Sequence, residues 1–123
     1  MATLLVVDDE RPIVKLIASA LRSEHVVITA DSAIEALAIF ESYHDRIDLL
    51  VTDVTMPGMT GLELVARLES THKRRLPVLF ITGATEYPID PCRAVLLKPF
   101  SLAGLKDAVR QVLESCKGCR EDR

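Results

Sequence analysis

Three aspartates stand directly after short apolar runs, and their types and spacing could support chemistry. Asp8 and Asp9 follow residues 3–7, and Asp53 follows residues 49–52. Apolar runs of this length, closed by polar or turn residues, are typical of buried strands. An unpaired carboxylate at such a place is costly. The three side chains therefore predict a ligand or a reaction where these strands end.

Like charges this close need compensation. Two carboxylates about 5 Å apart repel by roughly 3 kcal/mol at an effective dielectric constant near 20. A divalent cation removes that repulsion, and a set of oxygen ligands completed by water suits Mg²⁺. The alternative for Asp8 and Asp9 is that they only cap a helix beginning near Arg11, as acidic pairs often do. With Asp53 included, we favour the cation site.

A hydroxyl and an amine follow two later apolar runs. Thr82 comes after residues 78–81, and Lys98 comes after residues 94–97. Considered singly, Thr82 would be a strand-end residue and Lys98 a surface lysine. Beside a metal-bound carboxylate they would instead neutralise or bind a phosphoryl group. An aspartate can act as a nucleophile toward phosphorus, so Asp53, Thr82 and Lys98 together predict a phosphoryl site.

Strand-like and helix-like segments alternate along the whole chain, which is what must position these side chains. We predict strands at 3–7, 25–30, 49–52, 78–81 and 94–97. Helices are expected at 11–22, from an Asp31 or Ser32 cap through Tyr43, near 60–70, and after a Ser101 cap. Such alternation favours an α/β fold with a parallel sheet covered on both faces. Flavodoxin-like order 2-1-3-4-5 would place the first and third strands together at the switch point, where such sheets bind ligands.

The composition fits one small globular domain over residues 1–123. The net charge of −3 gives no support for a nucleic-acid surface, and no apolar run approaches the roughly 18 residues of a membrane span. The amino terminus lacks the features of a signal peptide. Three cysteines late in the chain suit a reducing cytoplasm better than a disulfide framework. Residues 117–123 are expected to form a frayed polar tail.

As a set, these signals resemble the receiver domain of two-component response regulators. The resemblance covers essentially the whole chain and is carried by Val6–Glu10, Asp53 with Met56-Pro57-Gly58 and Gly61, Thr82-Gly83, and Lys98-Pro99-Phe100. It implies that Asp53 accepts a phosphoryl group from a histidine kinase or a phosphotransfer protein.

The resemblance also implies roles for the neighbouring residues. Asp8 and Asp9 would hold Mg²⁺, with Asp53 and the backbone carbonyl of Thr55 as further ligands. Thr82 and Lys98 would contact the phosphoryl group, and the Lys98–Pro99 bond would be cis.

Two features depart from that family pattern. Val95 stands where the family usually has a switching aromatic residue on the fifth strand. Residues 83–93 contain Pro88 and Pro91 and are too few for an ordinary helix with its connections. We therefore predict a shortened fourth helix or a loop between the fourth and fifth strands. Shortened segments of this kind resemble receivers attached to hybrid histidine kinases.

Several functions compete. The leading interpretation is a stand-alone, phosphorylation-switched receiver that catalyses its own phosphorylation and dephosphorylation and no other reaction. It would act on an unidentified downstream protein, as a monomer or weak dimer. A receiver fragment of a hybrid histidine kinase, or a phosphorelay intermediate, is the alternative. A more distant one is a phosphatase with an aspartyl nucleophile, but Thr55 stands where that class needs a second carboxylate.

Two other classes fit less well. A flavin binder would need a loop rich in hydroxyl groups and glycine after the first strand, where Asp8 and Asp9 stand. A receiver that has lost phosphorylation is disfavoured because every acceptor-site residue is present.

The cysteines and histidines receive no catalytic role. Cys116 and Cys119 have zinc-ligand spacing, but no second pair completes the site, and Cys116 is expected in the core. The histidines are scattered along the chain, and none is expected near the acidic edge: His25, His44 and His72.

Overall fold

The computed structural model describes residues 2–72, 75–83 and 92–116. Five parallel strands form one sheet in the order β2-β1-β3-β4-β5, which confirms the predicted topology. The strands are β1 (Thr3–Val7), β2 (Val26–Ala30), β3 (Leu49–Asp53), β4 (Val78–Thr82) and β5 (Arg93–Leu97). The helices are α1 (Arg11–Leu21), α2 (Ala33–Tyr43), α3 (Gly61–His72) and α4 (Leu102–Ser115).

The sheet separates two apolar cores because successive side chains of a strand point to opposite faces. Leu5 and Val7 pack with α2 and α3 on one face. Leu4 and Val6 pack with α1 and α4 on the other face. Every residue of β3 and β4 is buried, so these two strands form the most enclosed part of the sheet. Asp53 and Thr82 thus stand on the most firmly held strands.

Serine caps fix the starts of two helices. The Ser32 hydroxyl accepts the Glu35 amide at 3.0 Å, and the Ser101 hydroxyl accepts the Gly104 amide at 2.9 Å. Each cap satisfies one of the amides that a helix start leaves without a partner. Of the two caps considered for α2, the structure selects Ser32.

One carboxylate links three elements at the sheet edge where the strands begin. Glu69 of α3 accepts the Leu76 amide at 2.7 Å, just before β4. The same Oε2 atom pairs with the guanidinium of Arg93, the first residue of β5, at 2.5 Å. Both side chains are largely buried, so this ion pair is only weakly screened by solvent. It holds the starts of β4 and β5 against α3.

Cys92 and Cys116 form a disulfide bond. The expectation that the cysteines would not form a disulfide is therefore wrong for this pair. The reason lies in the packing of α4, which runs back across β5 and brings the two Cα atoms to 4.7 Å. Sequence spacing alone does not reveal that approach across 24 positions. The placement of Cys116 in the core is confirmed, since its exposure is 0%.

The histidines lie away from the acidic strand ends, but two of them are not scattered. The rings of His44 and His72 stack at 4.6 Å where α2 and α3 end. His25 precedes β2, and its Nδ1 accepts the Ala2 amide at 3.2 Å.

The predicted loop at 83–93 falls mostly on residues 84–91, and the predicted frayed tail falls on residues 117–123. Both lie outside the described residues.

Candidate functional site

Two adjacent strands bring the predicted aspartates together. Val7 of β1 pairs with Thr52 of β3, so Asp8 and Asp53 leave the sheet at the same level. Asp8, Asp9 and Asp53 each offer a carboxylate oxygen, and these oxygens lie within 4.8 Å of one another. Asp8 and Asp53 are 1% and 7% exposed, whereas Asp9 faces solvent. The cluster thus sits at the sheet edge with one open side.

The Asp8 carboxylate is buried, and only one of its two oxygens accepts a hydrogen bond from the described residues. Its Oδ1 accepts the Glu10 amide at 3.0 Å, while its buried Oδ2 has no hydrogen-bond partner among the described residues. Burial raises the pKa of Asp8 to about 6; the Glu10 hydrogen bond opposes this increase, and the charge of Asp53 adds to it. A buried acceptor without a donor is unusual. An orphaned oxygen within an all-oxygen donor set is what a Mg²⁺ ion would satisfy.

Asp53 is held through both carboxylate oxygens. Its Oδ2 accepts the Lys98 ammonium at 3.0 Å, and its Oδ1 accepts the Thr55 amide at 3.2 Å. Burial lowers the pKa of Lys98, but the hydrogen bond and charge of Asp53 outweigh it, so that the net pKa is raised. Lys98 is therefore a fixed positive charge beside the Asp53 carboxylate.

Thr82 ends β4 next to this pair. It follows Ile81, the cross-strand partner of Asp53, and it is 5% exposed. Its carbonyl accepts the Lys98 amide at 2.9 Å. That bond joins the ends of β4 and β5 at the level of the cluster.

Three further features follow from the family resemblance: a cis peptide bond, a carbonyl as metal ligand, and the replacement of an aromatic residue on β5. The Lys98–Pro99 peptide bond is cis, which confirms the expectation. Thr55 lies beside Asp53, but its carbonyl as a metal ligand stays a prediction. Val95 packs, half-buried, against the core on the α2 and α3 side of the sheet.

Gly61 has a structural role that the sequence analysis did not assign. A Cβ at this position would lie 2.4 Å from the carbonyl oxygen of Asp53. The Gly61 amide also donates to the Val54 carbonyl at 2.8 Å. The start of α3 therefore packs directly on the backbone that carries Asp53. The available signal was a glycine, a poor helix former, at the first position of a predicted helix, directly after Thr60, whose hydroxyl accepts the Glu63 amide at 3.1 Å.

Comparisons with known proteins agree with this arrangement. The family model for the response regulator receiver domain matches residues 4–110. The sensor kinase CckA of Brucella abortus is 37% identical over 120 residues, which span 92% of this chain and 13% of that protein. The chemotaxis protein CheY of Pseudomonas aeruginosa is 30% identical over 122 residues, covering 94% of this chain and 98% of CheY.

A solved structure supports the same assignment. The receiver domain of the hybrid histidine kinase CckA superposes with a TM-score of 0.79 at 33% identity, covering 91% of this chain and 99% of that domain.

No helix in the described part of this chain is long and apolar enough to cross a membrane. From its sequence, its strand order and its cluster of strand-end residues, the chain belongs to the response regulator receiver domain family of two-component systems.

Proposed function

We propose that Asp53 is the phosphoryl acceptor of this receiver, and that it takes the group from the phosphohistidine of a histidine kinase or a phosphotransfer protein. The observation that carries this proposal is the position of Asp53. It lies between the Lys98 ammonium, 3.0 Å away, and the carboxylates of Asp8 and Asp9. A nucleophile flanked by a fixed cation and by a cation-binding acidic pair suits phosphoryl transfer.

The proposed reaction exchanges one bond to phosphorus for another. A carboxylate oxygen of Asp53 bonds to phosphorus as the phosphorus–nitrogen bond of the donor breaks, and the imidazole leaves. Lys98 neutralises negative charge on the transferred group, and the Thr82 hydroxyl donates to one of its oxygens. Asp8, Asp9, Asp53 and the Thr55 carbonyl would hold Mg²⁺, which when bound supplies positive charge to the phosphoryl oxygens.

We infer no wider catalytic activity from the described residues of the site. A phosphatase of the aspartyl-nucleophile class would need a carboxylate two residues after Asp53 to serve as acid and base, and Thr55 occupies that position. We therefore assign the protein only the catalysis of its own phosphorylation and of its own dephosphorylation, in which water attacks the same phosphorus.

The relatives indicate two positions in a signalling pathway. A free receiver such as CheY spans about the same length as this chain, whereas the CckA match is one part of a longer sensor kinase. We favour a phosphorylation-switched receiver in the cytoplasm, monomeric or weakly dimeric, that signals to another protein and not to nucleic acid. A hybrid-kinase receiver or a phosphorelay intermediate is the second candidate, and the higher identity to CckA favours it.

Phosphorylation by a small donor tests the acceptor without the unidentified kinase. The purified protein is incubated with acetyl phosphate and MgCl₂ and is then analysed by intact mass spectrometry. We expect one added phosphoryl group that is removed by hydroxylamine, as an acyl phosphate should be. Addition of EDTA should prevent the modification because it removes Mg²⁺ from the acidic residues.

Matched variants identify the acceptor residue. Asp53→Asn should remain unmodified while keeping its fold by circular dichroism. Asp107→Asn removes an exposed aspartate of α4 and should be modified like wild type. Equal modification of Asp53→Asn, or an unmodified wild-type protein in excess donor and MgCl₂, would contradict the proposal.

A further inference from the structure

The disulfide between Cys92 and Cys116 closes a covalent ring around one structural unit. Cys92 precedes β5 directly, and Cys116 follows α4 directly. The ring therefore contains the whole of β5, the turn with Lys98, and the whole of α4. We call the segment from Cys92 to Cys116 the β5–α4 unit. It contains the ammonium that contacts Asp53.

The strand of this unit lies at one edge of the sheet. In the described sheet, β5 is an edge strand that pairs with β4 alone. None of its five residues is fully buried, whereas all five residues of β4 are. Elements with few buried contacts open at low free-energy cost. A covalent tie at the start of β5 therefore acts on an edge strand, beside the Arg93–Glu69 ion pair that holds the same strand start against α3.

Packing and the disulfide hold different parts of the unit. Leu105, Val109 and Val112 of α4 bury their side chains against the sheet. The last turn of α4 then ends at Cys116, whose amide donates to the Val112 carbonyl at 3.0 Å. Both cysteines are 0% exposed, so the tie lies beneath the surface and closes only when α4 is docked.

The redox state of the cellular compartment determines whether such a disulfide is permanent or transient. Structural disulfides persist in oxidising compartments, whereas in a reducing cytoplasm the few that form are transient and redox-sensing. This step rests on the cytoplasmic location under the proposed function. In that setting the resting protein would carry two thiols at this position.

We propose that Cys92 and Cys116 form a reversible thiol–disulfide switch that locks the β5–α4 unit when oxidised and releases it when reduced. Oxidation by a small-molecule disulfide joins the two sulfur atoms. Two electrons pass to the oxidant, which becomes two thiols by taking up the two protons that the cysteines lose. A dithiol reverses the reaction by supplying two electrons and two protons and closing to its own disulfide.

The lock acts on stability and on local opening. Closing a ring of this size restricts the unfolded chain, and we expect oxidation to raise the melting midpoint by about 10 °C. Amide exchange should slow at β5 and in the last turn of α4. It should change much less at β2, the opposite edge strand, which lies outside the ring.

The test compares one protein in two redox states. Wild type is treated with oxidised glutathione or with dithiothreitol, and free thiols are counted after unfolding. We expect one free thiol after oxidation and three after reduction, with peptide mapping assigning the bond to Cys92 and Cys116. Melting and amide exchange are then measured on both forms. Neither readout uses a phosphodonor, so failure here is separate from failure of the acceptor assignment.

Two single variants complete the design. Cys116→Ser should abolish the redox-dependent shift in midpoint, and Cys119→Ser should retain it, because it removes a thiol outside the pair. If Cys116→Ser does not fold, Cys116→Val fills the buried site with an apolar group and serves in its place. A bond mapped to Cys119, or equal midpoints for oxidised and reduced wild type, would overturn the proposal.

Discussion

At the scale of single residues, the ionised Asp8 lowers the stability of the fold when no cation is bound. Its buried Oδ2 has no partner among the described residues, and its pKa is raised to about 6 by burial and by the neighbouring Asp53 charge. The folded protein therefore binds a proton more tightly at Asp8 than the unfolded chain does. Ionisation of Asp8 at neutral pH consequently opposes folding in the absence of a cation.

The first prediction concerns Asp8→Asn in EDTA. The pKa of Asp8 is about 6 in the folded protein, against 3.8 for an aspartate in an unfolded chain. Because the folded protein binds the Asp8 proton more tightly than the unfolded chain does, protonation of Asp8 favours folding. This contribution is complete below pH 3.8 and is lost as the pH rises through about 6. Two pKa units correspond to about 3 kcal/mol, so Asp8→Asn should gain up to about that much at neutral pH. The asparagine carbonyl can still accept the Glu10 amide.

Urea unfolding across the pH range tests this prediction. The gain for Asp8→Asn over wild type should be small near pH 4 and should grow until the pH exceeds about 6. Asp9→Asn is the matched control, and its gain should be smaller because the exposed Asp9 charge is screened by water. A gain that does not depend on pH would refute the assignment of the cost to Asp8.

The sequence predicted that these side chains lie together, and the structure brings them to one edge of the sheet; their roles stay predictions. Asp8, Asp9 and Asp53 follow apolar runs, and parallel topology then requires those strand ends to share an edge. Thr82 and Lys98 were placed by the same argument. The orphaned Oδ2 of Asp8 could not be foreseen, because whether a carboxylate oxygen finds a donor depends on the path of the surrounding loop.

At the scale of elements, the start of α3 packs so closely on the backbone of Asp53 that no side chain fits between them. The Cβ that Gly61 lacks would lie 2.4 Å from the Asp53 carbonyl oxygen. Backbone atoms cannot move aside as a flexible side chain can. Only glycine therefore lets the helix begin this close to the end of β3.

The second prediction is that Gly61→Ala destabilises the protein by about 1–3 kcal/mol, as overpacking does. It should also slow phosphorylation by acetyl phosphate, because relief of the clash moves α3 or the Asp53 backbone. Gly83→Ala is the control, since a Cβ there meets no atom of the described residues within 4 Å. Denaturant unfolding and the rate of modification provide the two measurements. A fully stable Gly61→Ala would show that the contact is not tight.

Element boundaries were predicted closely where local signals exist. Ser101 and the periodic apolar residues placed α4, and the apolar run at 49–52 placed β3 with an error of one residue. The disulfide was missed because it depends on α4 crossing β5, and the stacking of His44 on His72 depends likewise on two helices ending side by side. Such contacts are set by packing between elements, which spacing along one chain does not encode.

At the scale of the whole molecule, the acidic edge makes folding and cation binding parts of one equilibrium. The cluster draws on β1 and β3, and these strands meet only in the folded sheet. The unfolded chain has no comparable site, so any ion that binds the cluster stabilises the entire fold. An ion present at about 100 times its dissociation constant adds about 2.7 kcal/mol.

The third prediction is that saturating MgCl₂ raises the melting midpoint of wild type by an amount on the order of 10 °C relative to EDTA. Sodium chloride at matched ionic strength should give a much smaller increase, because it screens the carboxylates without bridging them. Asp8→Asn should lose most of the magnesium effect, whereas Asp107→Asn should retain it. Differential scanning calorimetry of the three proteins in the three buffers separates bridging from screening. If magnesium and sodium raised the midpoint equally at matched ionic strength, the edge would be only a patch of negative charge, and the assignment of Asp8 as a ligand would be wrong.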